Sequence, residues 1–287
     1  MMIKFLNTNA VFLSILIVSS FMMMGFSCSS SSGGGNKTKI QGVIQEVIQG
    51  SVSGITVRIL ENGNSKDRDT TNQLGEFKLN FTPNSDLLTL EFDGPGFLLS
   101  RAISVTRNSN IVMAIVLQLD PPLISFTNWT VLQDPIRGGD FDQITFNEKE
   151  AVFRIDGNNS NCIRANSESR VEITAKSISL IDCQEGITTQ SFGLVILEAD
   201  EDINVIAKKD GIRTKDSSFV RVARTMNPIN NNISISSTKE NGIRASGASQ
   251  VIVDPQNNCV ISGAKDAVKK SGTSMVTSNT CTLAVEN

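Results

Sequence analysis

The sequence predicts an all-β protein: a small β-sandwich followed by a right-handed parallel β-helix of about six coils. Three observations carry that expectation. Residues 38–119 break into short segments of alternating apolar residues separated by turn clusters, the pattern of half-buried strands. In the remainder a line of twelve residues recurs six times, at steps of 27, 24, 25, 31 and 25 residues, which is the period of a solenoid. The recurring segments are short, rich in branched apolar residues and without helical periodicity.

Composition bounds the function. The 287 residues suffice for two modest domains, and 29 acidic against 26 basic residues argue against a nucleic-acid partner. With no histidine, no tyrosine and one tryptophan, the chain lacks the commonest general base and metal ligand and most of an aromatic platform for sugars.

Residues 1–27 read as a signal peptide: Lys4 lies near the start, an apolar core runs from Ala10 to Phe26, and Ser27 precedes Cys28. An uncleaved membrane helix fits less well, because the apolar run is short for a full span and Gly25 sits near its end. Residues 28–37 follow as a flexible Ser/Gly tether. The ending GFSC resembles the lipobox of bacterial lipoproteins, in which a small residue precedes a cysteine that is acylated and becomes the mature N-terminus. Ser27 fits the small position; Gly25 stands where that family usually has leucine, and Phe26 is bulkier than usual. The resemblance implies an exported chain anchored to the bacterial envelope by a lipid on Cys28, the membrane being its partner. Ser29 after the cysteine, rather than aspartate, implies the outer membrane.

The segments KIQGVIQEV, GITVRIL, GEFKLNF, LLTLEF and NIVMAIVLQL, with ENGNSKDRD and TPNSD as turn clusters between them, predict a sandwich over residues 38–119. This stretch resembles the carboxypeptidase regulatory-like domain, through Gly42-Val43, Gly54-Ile55-Thr56-Val57, TNQLGEF (71–77), LTLEF and GPGF (94–97). The resemblance implies a non-catalytic spacer or docking module.

The repeated line, as in GIRTKDSSFVRV (211–222) and GIRASGASQVIV (242–253), orders residues 127–287. Each copy places a branched residue, Ile136, Ile163, Ile187, Ile212, Ile243 or Val268, eight positions before another, Ile144, Val171, Val195, Val220, Val251 or Val276. Small turn-formers stand six past the first: Asp142, Ser169, Gly193, Ser218, Ser249 and Ser274. One past it stand Arg137, Arg164, Thr188, Arg213, Arg244 and Lys269, directed outward because their neighbours point in. Two before it stand Asp134, Asn161, Glu185, Asp210, Asn241 and Asp266. A basic stripe thus runs beside an acidic or amide one.

Three readings of the stripes stand. Carboxylates beside stacked cations offset their repulsion, which makes the stripes scaffolding. Alternatively Arg137, Arg164, Arg213, Arg244 and Lys269 form a track for an acidic polysaccharide, with bidentate arginine contacts to its carboxylates. A weaker third reading takes Glu185, Asp210 and Asp266, with Glu240, as oxygen ligands for calcium, although no glycine-rich calcium-loop repeat is present. No other cofactor is expected.

The repeat region resembles the pectate-lyase-like superfamily, particularly non-catalytic carbohydrate-binding members, which share the line ending in Gly-Ile-basic. The hydrolases of that fold carry paired aspartates and a His-Gly motif, both missing here; its lyases use an arginine base with calcium, which leaves Arg213 and Arg244 to consider. The resemblance implies a non-catalytic acidic-polysaccharide binder, the alternatives being a structural or adhesive surface lipoprotein and, behind both, a polyuronate lyase.

Two features complete the reading. RTMNPINNN (224–232) lengthens one coil and predicts a protruding loop, either a binding loop or a tolerated insertion. With Cys28 lipidated, Cys162, Cys183, Cys259 and Cys281 are left; separations of about one coil allow Cys162 with Cys183 and Cys259 with Cys281 to staple neighbouring coils, or all four to stack as core residues.

Overall fold

The computed structural model of the protein describes residues 37–46, 50–105, 107–119, 122–225, 232–278 and 280–285. The expected signal peptide, Cys28 and the rest of the tether up to residue 36 lie outside the described residues.

The first part contains β1 (Thr38–Glu46), β2 (Gly50–Ser51), β3 (Thr56–Glu61), β4 (Asn64–Thr70), β5 (Glu76–Phe81), β6 (Leu87–Gly94), β7 (Phe97–Ser104) and β8 (Ser109–Leu119). One sheet runs β4-β3-β6-β7, and the other sets β1 between β5 and β8. Alternate residues of both sheets, Ile40, Ile44, Val57, Ile59, Leu79 and Leu90 among them, are fully buried in one core. Each such side chain contributes about 1.5–3 kcal/mol. Gly42 on β1 is required by close approach, since a Cβ there would lie 2.7 Å from the Met113 carbonyl oxygen on β8.

Strand β4 corrects the sequence reading, which took ENGNSKDRD as a turn cluster. Only its start is a turn: Asn62 and Gly63, with φ of 50° and 77°, make a tight hairpin into an edge strand that is largely exposed. A strand that buries no apolar face leaves no alternating signal.

Strand β9 (Pro122–Gln133) pairs antiparallel with β8 over eleven residue pairs, and its end lies parallel to the first long strand of the solenoid. The sandwich sheet therefore continues into the β-helix without an edge between them.

The β-helix has six coils, each with three strand positions. They comprise β10 (Ile136–Gly138), β11 (Gln143–Asp156), β12 (Ile163–Asn166), β13 (Arg170–Cys183), β14 (Ile187–Gln190), β15 (Leu194–Ala199), β16 (Ile203–Ala207), β17 (Ile212–Thr214), β18 (Phe219–Arg224), β19 (Ile233–Ser237), β20 (Asn241–Ala245), β21 (Gln250–Asp254), β22 (Cys259–Gly263), β23 (Asp266–Lys270), β24 (Met275–Ser278) and β25 (Thr282–Val285). In the first two coils one long strand, β11 or β13, serves two positions; the halves of β13 pair with β15 and β16 separately. All neighbours are parallel, and the winding is right-handed, the hand strongly preferred for such crossovers.

The repeated line builds the six-stranded sheet β10-β12-β14-β17-β20-β23. Its register sets Ile136, Ile163, Ile187, Ile212, Ile243 and Val268 side by side, and the second branched column pairs equally from Ile144 to Val276. The glycine that opens the line has a steric cause. A Cβ on Gly186 would stand 2.4 Å from the Gly211 carbonyl oxygen, one on Gly211 would stand 2.6 Å from that of Gly242, and one on Gly242 would stand 2.7 Å from that of Ala267. The coils are too close there for any side chain.

The small residues that close the line act through their hydroxyls. Ser218, Ser249 and Ser274 donate to the carbonyls three residues back at 2.7, 2.9 and 3.0 Å. Ser218 and Ser249 also meet Thr189 and Thr214 of the preceding coil at 2.9 Å.

Candidate functional site

The basic column lies on the outer face of the six-stranded sheet, in unbroken register from Arg137 through Arg164, Thr188, Arg213 and Arg244 to Lys269. Its members differ in environment. Arg137, Arg164 and Lys269 are exposed, and among the described residues no ion pair involves them. Thr188 is buried. Arg213 is half-buried and its Nη1 donates to Glu185 Oε1, while Arg244 Nη1 stands 3.9 Å from Glu240 Oε2. The track is thus open at both ends of the solenoid and closed in the middle.

The closure is built around Glu185, which is 7% exposed. Besides Arg213 it accepts from Thr188 Oγ1 at 2.9 Å and from Asn161 Nδ2 at 3.0 Å. Burial alone would raise its pKa, but the bonds from Arg213 and Thr188, the Arg213 charge and the Asn161 amide together hold it below the ordinary carboxylate value. The pair in turn holds the Arg213 guanidinium above its ordinary value in spite of burial. A proton-abstracting arginine needs the opposite shift, so this environment opposes a base role for Arg213.

One coil further, Asp210 is 1% exposed and is met by the Asn241 side-chain and backbone nitrogens at 2.7 and 3.3 Å, both on Oδ1. Its Oδ2 has no partner, nor has Asn241 Oδ1. Burial, reinforced by the nearby Glu240 charge, raises the Asp210 pKa against the Asn241 bonds and the Arg244 charge.

The carboxylates offered as calcium ligands are not brought together. Among the described residues no group of three His, Cys, Asp or Glu side chains is placed to hold a metal ion. Glu185, Asp210 and Asp266 stand on successive or more distant coils of one column, and the first two point their oxygens at Arg213, Thr188 and Asn amides instead.

The four cysteines form two disulfides, Cys162–Cys183 and Cys259–Cys281, with Cα separations of 5.4 and 4.4 Å. Each joins neighbouring coils, and the first flanks the Asn161–Glu185 contact. The insertion leaves the solenoid after Arg224 and rejoins it at Asn232; residues 226–231 lie outside the described residues.

Sequence reading passed over the corner that follows the basic strand. There Phe141 and Phe192, 72% and 64% exposed, adopt φ of 59° and 66°. Their signal was visible: GGDFDQ and TQSFGL put phenylalanine where other copies of the line have glutamate, serine, alanine or threonine.

No family model and no curated protein matches this chain. Among solved structures the chain is similar to the dioxygenase domain of a dioxygenase–carbohydrate-binding protein fusion from the cellulolytic bacterium Streptomyces sp. SirexAA-E, at 12% identity over 31% of this chain and 84% of that one, with a TM-score of 0.23.

Proposed function

We propose that this protein is a non-catalytic cell-envelope lipoprotein whose β-helix binds an acidic polysaccharide. The observation that carries the proposal is that Arg137 and Arg164, adjacent in register on one sheet face, are exposed and, among the described residues, free of any ion pair, with Lys269 equally open at the far end. The Asn166 side-chain oxygen accepts from Arg164 Nε and Nη2 at 2.7 and 3.1 Å but leaves its charge uncompensated. Guanidinium groups one strand step apart, about 4.8 Å, suit carboxylates carried on neighbouring sugars of an extended chain. Arg213 stands outside this surface because Glu185 already occupies it. The ligand would engage each end of the row separately.

The test is binding of the purified protein to polygalacturonate at low and physiological salt. Arg137→Ala with Arg164→Ala should abolish a salt-sensitive interaction while the melting temperature stays within about 2 °C, as expected for exposed substitutions. No binding by the unsubstituted protein would favour a structural or adhesive surface role. Lipid anchoring is tested separately: Cys28→Ser should abolish incorporation of labelled palmitate and release the chain from the membrane fraction.

A further inference from the structure

We infer that the corner carrying Phe141, Glu168 and Phe192 is a second binding edge of the solenoid, separate from the basic row, which takes the flat apolar face of an uncharged pyranose chain. Each coil turns there by passing through the left-handed backbone region. In the last three coils that conformation falls one position earlier in the line, on Asp216, Gly247 and Gly272, residue types that tolerate it; the residues aligned with the phenylalanines there are Ser217, Ala248 and Thr273. In the first coil it falls on Phe141, in the second on Ser167 and Glu168, and in the third on Ser191 and Phe192; for a bulky phenylalanine the region is a genuine outlier. The same two rings are the most exposed large apolar side chains among the described residues. Two independent disadvantages, backbone and solvent, therefore coincide on one residue type at one turn position, twice.

The row is held in register by the coils beneath it. Phe141 N donates to the Ser167 carbonyl at 3.1 Å, and Glu168 N donates to that of Ser191 at 3.0 Å. Phe141, Glu168 and Phe192 thus follow one another along the solenoid axis, the two phenyl groups two strand steps apart, about 10 Å. That is close to the disaccharide repeat of an extended pyranose chain. A phenyl face is electron-rich and meets the C–H bonds on the flat side of a pyranose, which needs neither the phenol nor the indole that this chain lacks. Between the rings the exposed Glu168 carboxylate can accept from sugar hydroxyls, and Asp140 stands exposed beside Phe141. These carboxylates repel a polyuronate, so the occupant of this edge is uncharged, unlike that of the basic face.

The experiment is native electrophoresis of the protein in gels containing xylan, mixed-linkage β-glucan or galactomannan, with a polygalacturonate gel alongside. Phe141→Asn with Phe192→Asn removes both rings and installs a residue that accepts the left-handed backbone. The expected result is retardation of the unsubstituted protein in at least one neutral gel, about ten-fold weaker in the double variant, whose melting temperature is equal or higher. Arg137→Ala with Arg164→Ala should leave the neutral-gel retardation intact, so this reading and that of the basic face fail independently. The inference is overturned by no retardation in any neutral gel, by equal retardation of the double variant, or by a fall in its melting temperature. It is also overturned if light scattering shows self-association that the double variant abolishes, which would make the rings a protein contact.

Discussion

Glu185 and Asp210 occupy the same column of the solenoid one coil apart, both almost fully buried, yet their pKa values are shifted in opposite directions, down for Glu185 and up for Asp210. Glu185 meets the arginine of the following coil, Arg213, together with two neutral donors. The equivalent arginine for Asp210 is Arg244, which instead lies near Glu240 at 3.9 Å. Asp210 is left with an asparagine amide and an orphan oxygen. Burial is common to both positions; what decides the sign is whether the next coil's cation is free to reach back. A repeated line fixes where side chains stand, whereas a residue outside the line, Glu240, decides with whom they pair.

This contrast can be broken at its strong side first. Glu185→Ala strands the half-buried Arg213 guanidinium and takes the acceptor from buried Thr188, and should lower unfolding free energy by about 3–5 kcal/mol in chemical denaturation, the range for breaking a buried pair. Next, replacing Cys162 and Cys183 by serine opens the staple beside Asn161 and Glu185 and should remove about 2–4 kcal/mol; the same change at Cys259 and Cys281 should lower stability without disturbing Glu185.

On the weak side the sign reverses. Asp210→Asn keeps an acceptor for Asn241 and removes a charge disfavoured by burial, so it should stabilise by about 1 kcal/mol at pH 7. Because the folded pKa of Asp210 is raised, its disadvantage is full at neutral pH, shrinks as pH falls through that folded value, and vanishes below the unfolded value, about 3.9. Unsubstituted protein and variant should therefore converge on acidification. Glu185 behaves oppositely: its folded pKa is lowered, so its contribution is complete above the unfolded value of about 4.3 and is lost as pH falls through the folded value. A melting series from pH 7 to 3 on both variants separates the two carboxylates. The smallest effect is expected for Glu240→Gln, which frees Arg244 toward Asp210. A gain of a few tenths of a kcal/mol, with the Asp210 titration seen by NMR moving down, would support the account; an unmoved titration would sink it.

The solenoid was legible because its register is carried by covalently periodic branched residues: once Ile212 and Ile243 are aligned, the pairing of Arg213 with Arg244 follows. The edge strand β4 was not, since nothing apolar marks it, although Asn62-Gly63 announced the hairpin. The basic stripe was legible as a column but not as a site. That Thr188 is covered, that Arg213 is spoken for and that Arg137 is open depends on which side chains bend toward which neighbours. The corner phenylalanines were readable as the two apolar aromatics in a column otherwise of Glu168, Ser217, Ala248 and Thr273, but their backbone conformation was not.

The continuous sheet that joins the two parts has a mechanical consequence. A pull on the chain ahead of Thr38 enters β1, whose eight residue pairs with β8 are parallel and so bear load together rather than one at a time. From β8 the load crosses eleven further pairs to β9 and passes into the first coil. Force applied at the N-terminus is thus delivered in shear to the solenoid column, and in single-molecule extension the sandwich should yield at high force in one step, with no low-force separation of the two parts preceding it.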